Sequence, residues 1–218
     1  MRKIVGGAII AILFVLILAG ALQWHTYEKK VEYRQEALLY FKEKDYSKTI
    51  SYLKNALGQW SVFGGRLDQD MNCYLAESYY QLKEYGKAEK IYDKLIKKDE
   101  KNMQYYLLKG ECVEETGEDA QAVAIYEQGF KKTEDTDFLK KICELYTEKK
   151  DYTNALKYAQ KGADQGGEVK ASFLFQKIVI YEKAQEYQKA YEMAGEYLKL
   201  YPDDEDAKKE YTFLATRI

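Results

Sequence analysis

Few side chains in this sequence are equipped for covalent chemistry. The 218 residues include one histidine, His25, so Ser/His/Asp and Cys/His nucleophile systems find no imidazole base in the rest of the chain. Three cysteines, Cys73, Cys112 and Cys143, stand far apart, with no CxxC pair and no neighbouring histidine to complete a zinc site. They read as small apolar residues of helices rather than as a disulfide framework or a metal site. Adjacent acids such as Glu114 and Glu115 are common on solvated helices, and nothing in their neighbourhood points to the burial that general acid–base work requires. No GxSxG, HExxH, GxxxxGK[ST] or calcium-loop pattern occurs. The expectation is a protein with no catalytic, cofactor-binding or metal-binding residues.

Charge excludes a second class. The chain carries 34 basic and 36 acidic side chains, and without Arg2 and Lys3 the balance is 32 to 36, with no basic cluster to neutralise phosphates. Nucleic acid is therefore not an expected partner, which leaves proteins or peptides.

The elements that must carry such recognition announce themselves by repetition. The stretch "EYGKAEKIYDKLI" from Glu84 resembles "DYSKTISYLKNAL" from Asp45, "GEDAQAVAIYEQGF" from Gly117, "DYTNALKYAQKGA" from Asp151 and "EYQKAYEMAGEYL" from Glu186. Taking Thr49, Ala88, Ala122, Ala155 and Ala190 as register marks, the intervals are 39, 34, 33 and 35 residues. Such a period marks a stacked array. Within one unit, Leu75, Ala76 and Tyr79 share one helical face and Ala88, Tyr92 and Leu95 another, separated by the short "KEYGK". Each unit is thus expected to be a helical hairpin, and because a hairpin cannot cover its own apolar face, several must stack. The composition agrees: 46% hydrophobic, 32% charged, 22 Tyr and a single Pro suit an ordered all-α chain.

The N-terminus has another character. After Arg2 and Lys3, an uncharged and mostly apolar run extends from Ile4 to Leu22, followed by Trp24, His25 and Tyr27. As a helix those positions would span about 28 Å, close to a bilayer's hydrocarbon core. A transmembrane helix or signal anchor is expected over residues 4–24, with a cytoplasmic tail at 1–3 and a juxtamembrane linker at 25–28. A cleaved signal peptide competes, because Ala19 and Ala21 make an A-x-A site, whereas Trp24 and Tyr27 suit the aromatic belt of an uncleaved helix. No Cys follows "LAGA", so a lipid-modified cleavage site is absent. Arg2 and Lys3 on one flank nearly balance Lys29, Lys30 and Arg34 on the other. The short charged tail is expected to stay cytosolic while residues 28–218 cross the membrane.

The repeat resembles the tetratricopeptide repeat. That family's pattern has a small residue at position 8, Tyr at 11 and 17, Ala at 20, an aromatic at 24, Ala at 27 and often Pro at 32. Position 8 reads Ala37, Ala76, Gly110, Cys143 and Ile178; position 11 reads Tyr40, Tyr79, Val113, Tyr146 and Tyr181; position 17 reads Tyr46, Tyr85, Asp119, Tyr152 and Tyr187. Pro202 alone keeps the proline. Thr49, Ile178 and the varied position 27 (Ala56, Leu95, Gly129, Gly162, Tyr197) depart from the pattern. The resemblance implies an α-α superhelical solenoid over residues 29–202, with hairpins near 30–59, 69–98, 103–132, 136–164 and 171–200. A capping helix in 203–218 is expected to turn Ala207, Tyr211 and Leu214 to the stack. Between the first two units, "GQWSVFGGRLDQ" adds five residues to the period. It is either a longer second helix whose aromatics pack on the stack or a loop at a binding edge.

In the family, first-helix positions 2, 5, 6, 9, 12 and 13 line a concave groove. Carried over, they include Arg34, Tyr74, Glu77, Tyr80, Glu111, Glu114, Lys140, Glu144 and Glu148. The family's Lys/Asn/Arg clamp for acidic C-terminal peptides lacks its Asn residues here. The resemblance therefore implies an acidic and aromatic groove suited to a basic or amphipathic segment, or glutamates that only keep an exposed face soluble. The expected protein is a non-catalytic, membrane-anchored adaptor at the outer face of a bacterial cytoplasmic membrane. The alternative is a chaperone-like subunit of export or envelope assembly machinery that holds translocated clients.

Overall fold

A computed structural model describes residues 2–218, with side chains from residue 12 onward. The described residues form eleven helices and no strand: α1 (Arg2–Lys42), α2 (Tyr46–Gly58), α3 (Gly65–Gln81), α4 (Tyr85–Lys98), α5 (Met103–Glu114), α6 (Asp119–Thr133), α7 (Asp137–Glu148), α8 (Tyr152–Ala163), α9 (Val169–Lys183), α10 (Tyr187–Leu200) and α11 (Glu205–Leu214). They fall into two compact units, Met1–Asp99 and Glu100–Ile218. In the first, α1 pairs with α2 and α3 with α4, and α2 packs on α3. In the second, α5–α6, α7–α8 and α9–α10 are hairpins stacked in order, and α11 closes on α10.

One device makes all five hairpins. The first helix ends at a left-handed residue: Lys44, Lys83, Gly117, Lys150 or Gln185, with φ between 59° and 80°. Its N–H donates three residues back and the next N–H five residues back, as in Lys83 to Tyr80 (2.8 Å) and Glu84 to Tyr79 (2.8 Å). This is the Schellman arrangement, which satisfies carbonyls the helix leaves orphaned. The residue after it is always acidic and caps the second helix: Asp45, Glu84, Glu118, Asp151 or Glu186. At Asp45 and Asp151 the carboxylate itself accepts the N–H of Lys48 and of Asn154. The helix dipole and the freed N–H groups favour an anion there.

Packing explains the small residues. Thr49, Ala88, Ala122, Ala155 and Ala190 are all fully buried, and Thr49 stands in for alanine because its hydroxyl donates to the Asp45 carbonyl (2.9 Å). A Cβ on Gly110 would lie 2.1 Å from the Tyr126 ring; on Gly129, 2.4 Å from Phe138; on Gly162, 2.4 Å from Phe173. These glycines are sockets for aromatic rings. In the fifth hairpin the arrangement is reversed, for Ile178 and Ala194 share one buried cluster. The bulk has moved from the second helix to the first, which accounts for the large residue at position 8. Within α11, Ala207 and Leu214 are fully buried, and Tyr211 stacks on Tyr191 with ring centres 4.4 Å apart.

The N-terminal half of unit one differs from the sequence reading in two ways. Residues 25–28 lie inside α1, which runs unbroken into the first hairpin, because no glycine or proline there interrupts it. The insertion is not a longer second helix: α2 stops at Gly58, and Trp60, Val62 and Phe63 are exposed in the connection to α3. No helix among the described residues is long and apolar enough to cross a membrane. The expected span at residues 4–24 lies partly outside the described side chains.

Candidate functional site

The nine expected groove residues fall into one set per unit. In the first unit, Arg34 of α1 is engaged by Asp70 of α3, with nitrogen–oxygen distances of 2.6 and 2.7 Å. The Tyr74 ring meets Phe41 edge-on (5.1 Å), Tyr80 meets Tyr85 (5.2 Å), and Glu77 accepts from Gln81 (2.6 Å). Asp70 escaped the sequence reading although it occupies position 2 of its hairpin, so the expected cation at Arg34 is half of an ion pair.

In the second unit the structure brings most of the expected residues together. Lys141 of α7 reaches Glu111 of α5 (3.3 Å). Glu114 is half-buried and accepts a hydrogen bond from the Tyr126 hydroxyl. Burial pushes the Glu114 carboxyl above the ordinary carboxylate range, with Glu111 and Glu148 adding to the effect against Tyr126 and Lys141. Burial works to lower the Lys141 ammonium, but Glu114, Glu111 and Glu144 outweigh it and hold the group above its usual value. Glu144 and Glu148 are exposed on the same helix. Lys140, expected to face the groove, pairs with Asp137 one turn away (2.7 Å).

The α7 carboxylates continue into a cleft of about 140 Å³ against α9, lined by Glu144, Thr147, Glu148, Gln176, Val179, Ile180 and Lys183. The groove residues expected from sequence end with the fourth hairpin. The same register applied to the fifth would have selected Gln176, Val179 and Lys183 at positions 6, 9 and 13. The face that results is acidic at α5 and α7 and mixed at α9, open to an extended or helical segment.

Buried groups here have structural partners. The Cys143 thiol is fully buried, pushed up to about 12 by burial and by Glu144, so it is not a thiolate nucleophile at neutral pH. The Tyr158 hydroxyl donates to Glu127 (2.7 Å). Among the described residues, no group of three or more His, Cys, Asp or Glu side chains is arranged to hold a metal ion.

Comparison with known proteins agrees with this architecture. A tetratricopeptide repeat profile matches residues 75–216 and a second matches residues 34–102. No curated protein matches the chain. Among solved structures, a tetratricopeptide repeat protein from Parabacteroides merdae is similar at 15% identity and a TM-score of 0.58, covering 88% of this chain and 73% of that one. A TPR repeats protein from Bacteroides fragilis is similar at 14% identity and 0.55, covering 87% and 99%. YrrB, described as a TPR protein with an unusual peptide-binding site, is similar at 16% identity and 0.51, covering 88% and 95%. At these identities the likeness is one of fold.

Proposed function

Because the chain belongs to the tetratricopeptide repeat family, whose members generally mediate protein–protein interactions, we propose that it is a membrane-anchored adaptor that binds a basic or amphipathic segment of a partner protein. The observation that carries the partner's chemistry is the α5–α7 face. There, Lys141 of α7 is paired with Glu111 of α5 at 3.3 Å, Glu114, Glu111 and Glu144 together hold its ammonium above the usual value against burial, and Glu144 and Glu148 stand exposed beside it. A cation entering such a face gains electrostatically, and an acidic tail is repelled. Replacing the exposed Glu144 and Glu148 by lysine leaves the core untouched. It should abolish capture of the partner from detergent-solubilised membranes, and unchanged capture would contradict the proposal. The same experiment separates an adaptor, which retains one stoichiometric partner, from a holding role in which many unfolded clients are retained.

The anchor rests on α1. From Ile12 to Leu18 and again at Leu22, its side chains are between 49% and 68% exposed, with no charged residue from Ile4 to Gln23. Apolar surface of that extent is costly in water and stable in hydrocarbon. With Arg2 and Lys3 retained in the cytosol, the repeats lie on the extracytoplasmic side of the cytoplasmic membrane. Protease added to spheroplasts should then digest the repeats; protection until the membrane is lysed would reverse the orientation.

A further inference from the structure

The inserted segment between α2 and α3 is held firmly, yet it presents its apolar side chains outward. Ser61, itself buried, donates through its hydroxyl to the Gln23 carbonyl (3.4 Å), and the Val62 N–H donates to the Gln23 side-chain carbonyl (3.2 Å). The Phe63 ring meets Trp24 edge-on at 6.4 Å and Tyr27 at 6.2 Å. At the far end of the segment, Lys30 of α1 is 1% exposed and bound to Asp68 of α3 at 2.6 Å. Gly64 passes so close that a Cβ there would lie 2.8 Å from the Lys30 ammonium. This part-buried ion pair ties α1 to the start of α3. Against this scaffold Trp60 is 70% exposed, Val62 62%, Phe63 54% and Trp24 55%.

The height of the segment along α1 gives those side chains a purpose. Gln23, its hydrogen-bonding partner, directly follows Leu22, the last residue of the apolar run. If α1 leaves a bilayer there, Trp60, Val62 and Phe63 stand at the level of the headgroups and upper acyl chains, beside Trp24 and Tyr27. Indole, phenol and small apolar groups are favoured in that layer, and Arg66, exposed at the start of α3, suits anionic headgroups. Three outward side chains offer far less than the roughly 800 Å² per partner of a stable protein interface. A lipid surface needs no complementary shape.

Resting on the anchor reading above, we propose that the α2–α3 segment is a second membrane contact, an interfacial collar that inserts Trp60, Val62 and Phe63 beside the emerging α1. Because α1 continues without a break into the first hairpin, such a collar sets the angle at which the first repeat unit stands on the membrane.

Trp24 and Trp60 are the two tryptophans of the chain, which makes the test direct. The full-length Trp24→Phe variant is reconstituted into phosphatidylcholine and phosphatidylglycerol vesicles, so that Trp60 alone reports. Lipids brominated on the upper acyl chain should quench its emission strongly, lipids brominated near the terminal methyl weakly, and aqueous acrylamide less than in detergent-free unfolded protein. Trp60 emission unaffected by any brominated lipid overturns the collar, whether acrylamide reaches the indole or a second protein copy shields it. The Trp60→Phe variant separates the two readings. If Trp24 is quenched and the protein floats with the vesicles while Trp60 is not quenched, only the collar fails; if neither tryptophan is quenched and the protein does not float, the anchor fails with it.

Discussion

At the scale of single residues, burial sets the properties of the groups that chemistry would otherwise use. The Glu114 carboxyl is raised in the folded protein, so the folded state keeps its proton over an interval that begins near the ordinary value of 4.5 and extends upward. The sign follows: stability from this site is fullest below that interval and declines as pH rises through it. Glu114→Gln keeps an acceptor for Tyr126 and cannot ionise. Its urea midpoint should lack the part of the decline that wild type shows above pH 4.5. Cys143, with its thiol near 12, should resist iodoacetamide in the native protein and react only when urea unfolds it, as peptide mass spectrometry would record. Gly129 is a third case. A methyl group there collides with the Phe138 ring, so Gly129→Ala should cost about 1–3 kcal/mol of stability. The glycine's identity was visible in the sequence and its ring partner was not, since Phe138 comes from the following hairpin.

At the scale of elements, the turns carry a strain that sequence did not disclose. Position 15 is left-handed in all five hairpins, but only Gly117 is the residue such a φ favours; lysine occupies it three times and glutamine once. A left-handed conformation costs a residue with a Cβ about 1–2 kcal/mol. Lys83→Gly and Lys150→Gly should therefore stabilise the protein, by up to about 1 kcal/mol each after the unfolded-state entropy of glycine is set against the relief. Gly117→Ala should destabilise it by a similar amount, and thermal melts of the three variants would show the opposite signs. The hairpins themselves were legible because small residues recur where helices must approach closely. The run "WSVFGG" was not, because Trp, Val and Phe following a helix suggest continuation, whereas the bond from Val62 to Gln23 belongs to tertiary structure. Likewise the change of composition at Trp24, His25 and Tyr27 marks no end of α1.

The whole molecule comprises a helix with an apolar N-terminal half and two compact repeat units, the second of which carries the acidic face of α5 and α7. The proposed anchor would hold by the hydrophobic effect, and salt does not screen that force. The full chain should therefore remain in the membrane fraction through a high-salt wash and leave only with detergent. The proposed recognition is electrostatic and should weaken as ionic strength rises. The period could be read from sequence, and so could the acidic residues of α5 and α7. The pairing of Arg34 with Asp70 and the extension of the face to α9 needed coordinates, since both depend on contacts between hairpins.

Whether α5, α7 and α9 form the binding face of an adaptor is decided by a photoreactive amino acid placed at Glu148, and for comparison at Gln128 on α6, in the full-length protein in living cells. A discrete crosslinked protein is expected from Glu148 and none from Gln128, with the adduct lost when Glu144 is changed to lysine. Equal labelling from both positions, or a discrete adduct from Gln128 alone, would contradict it.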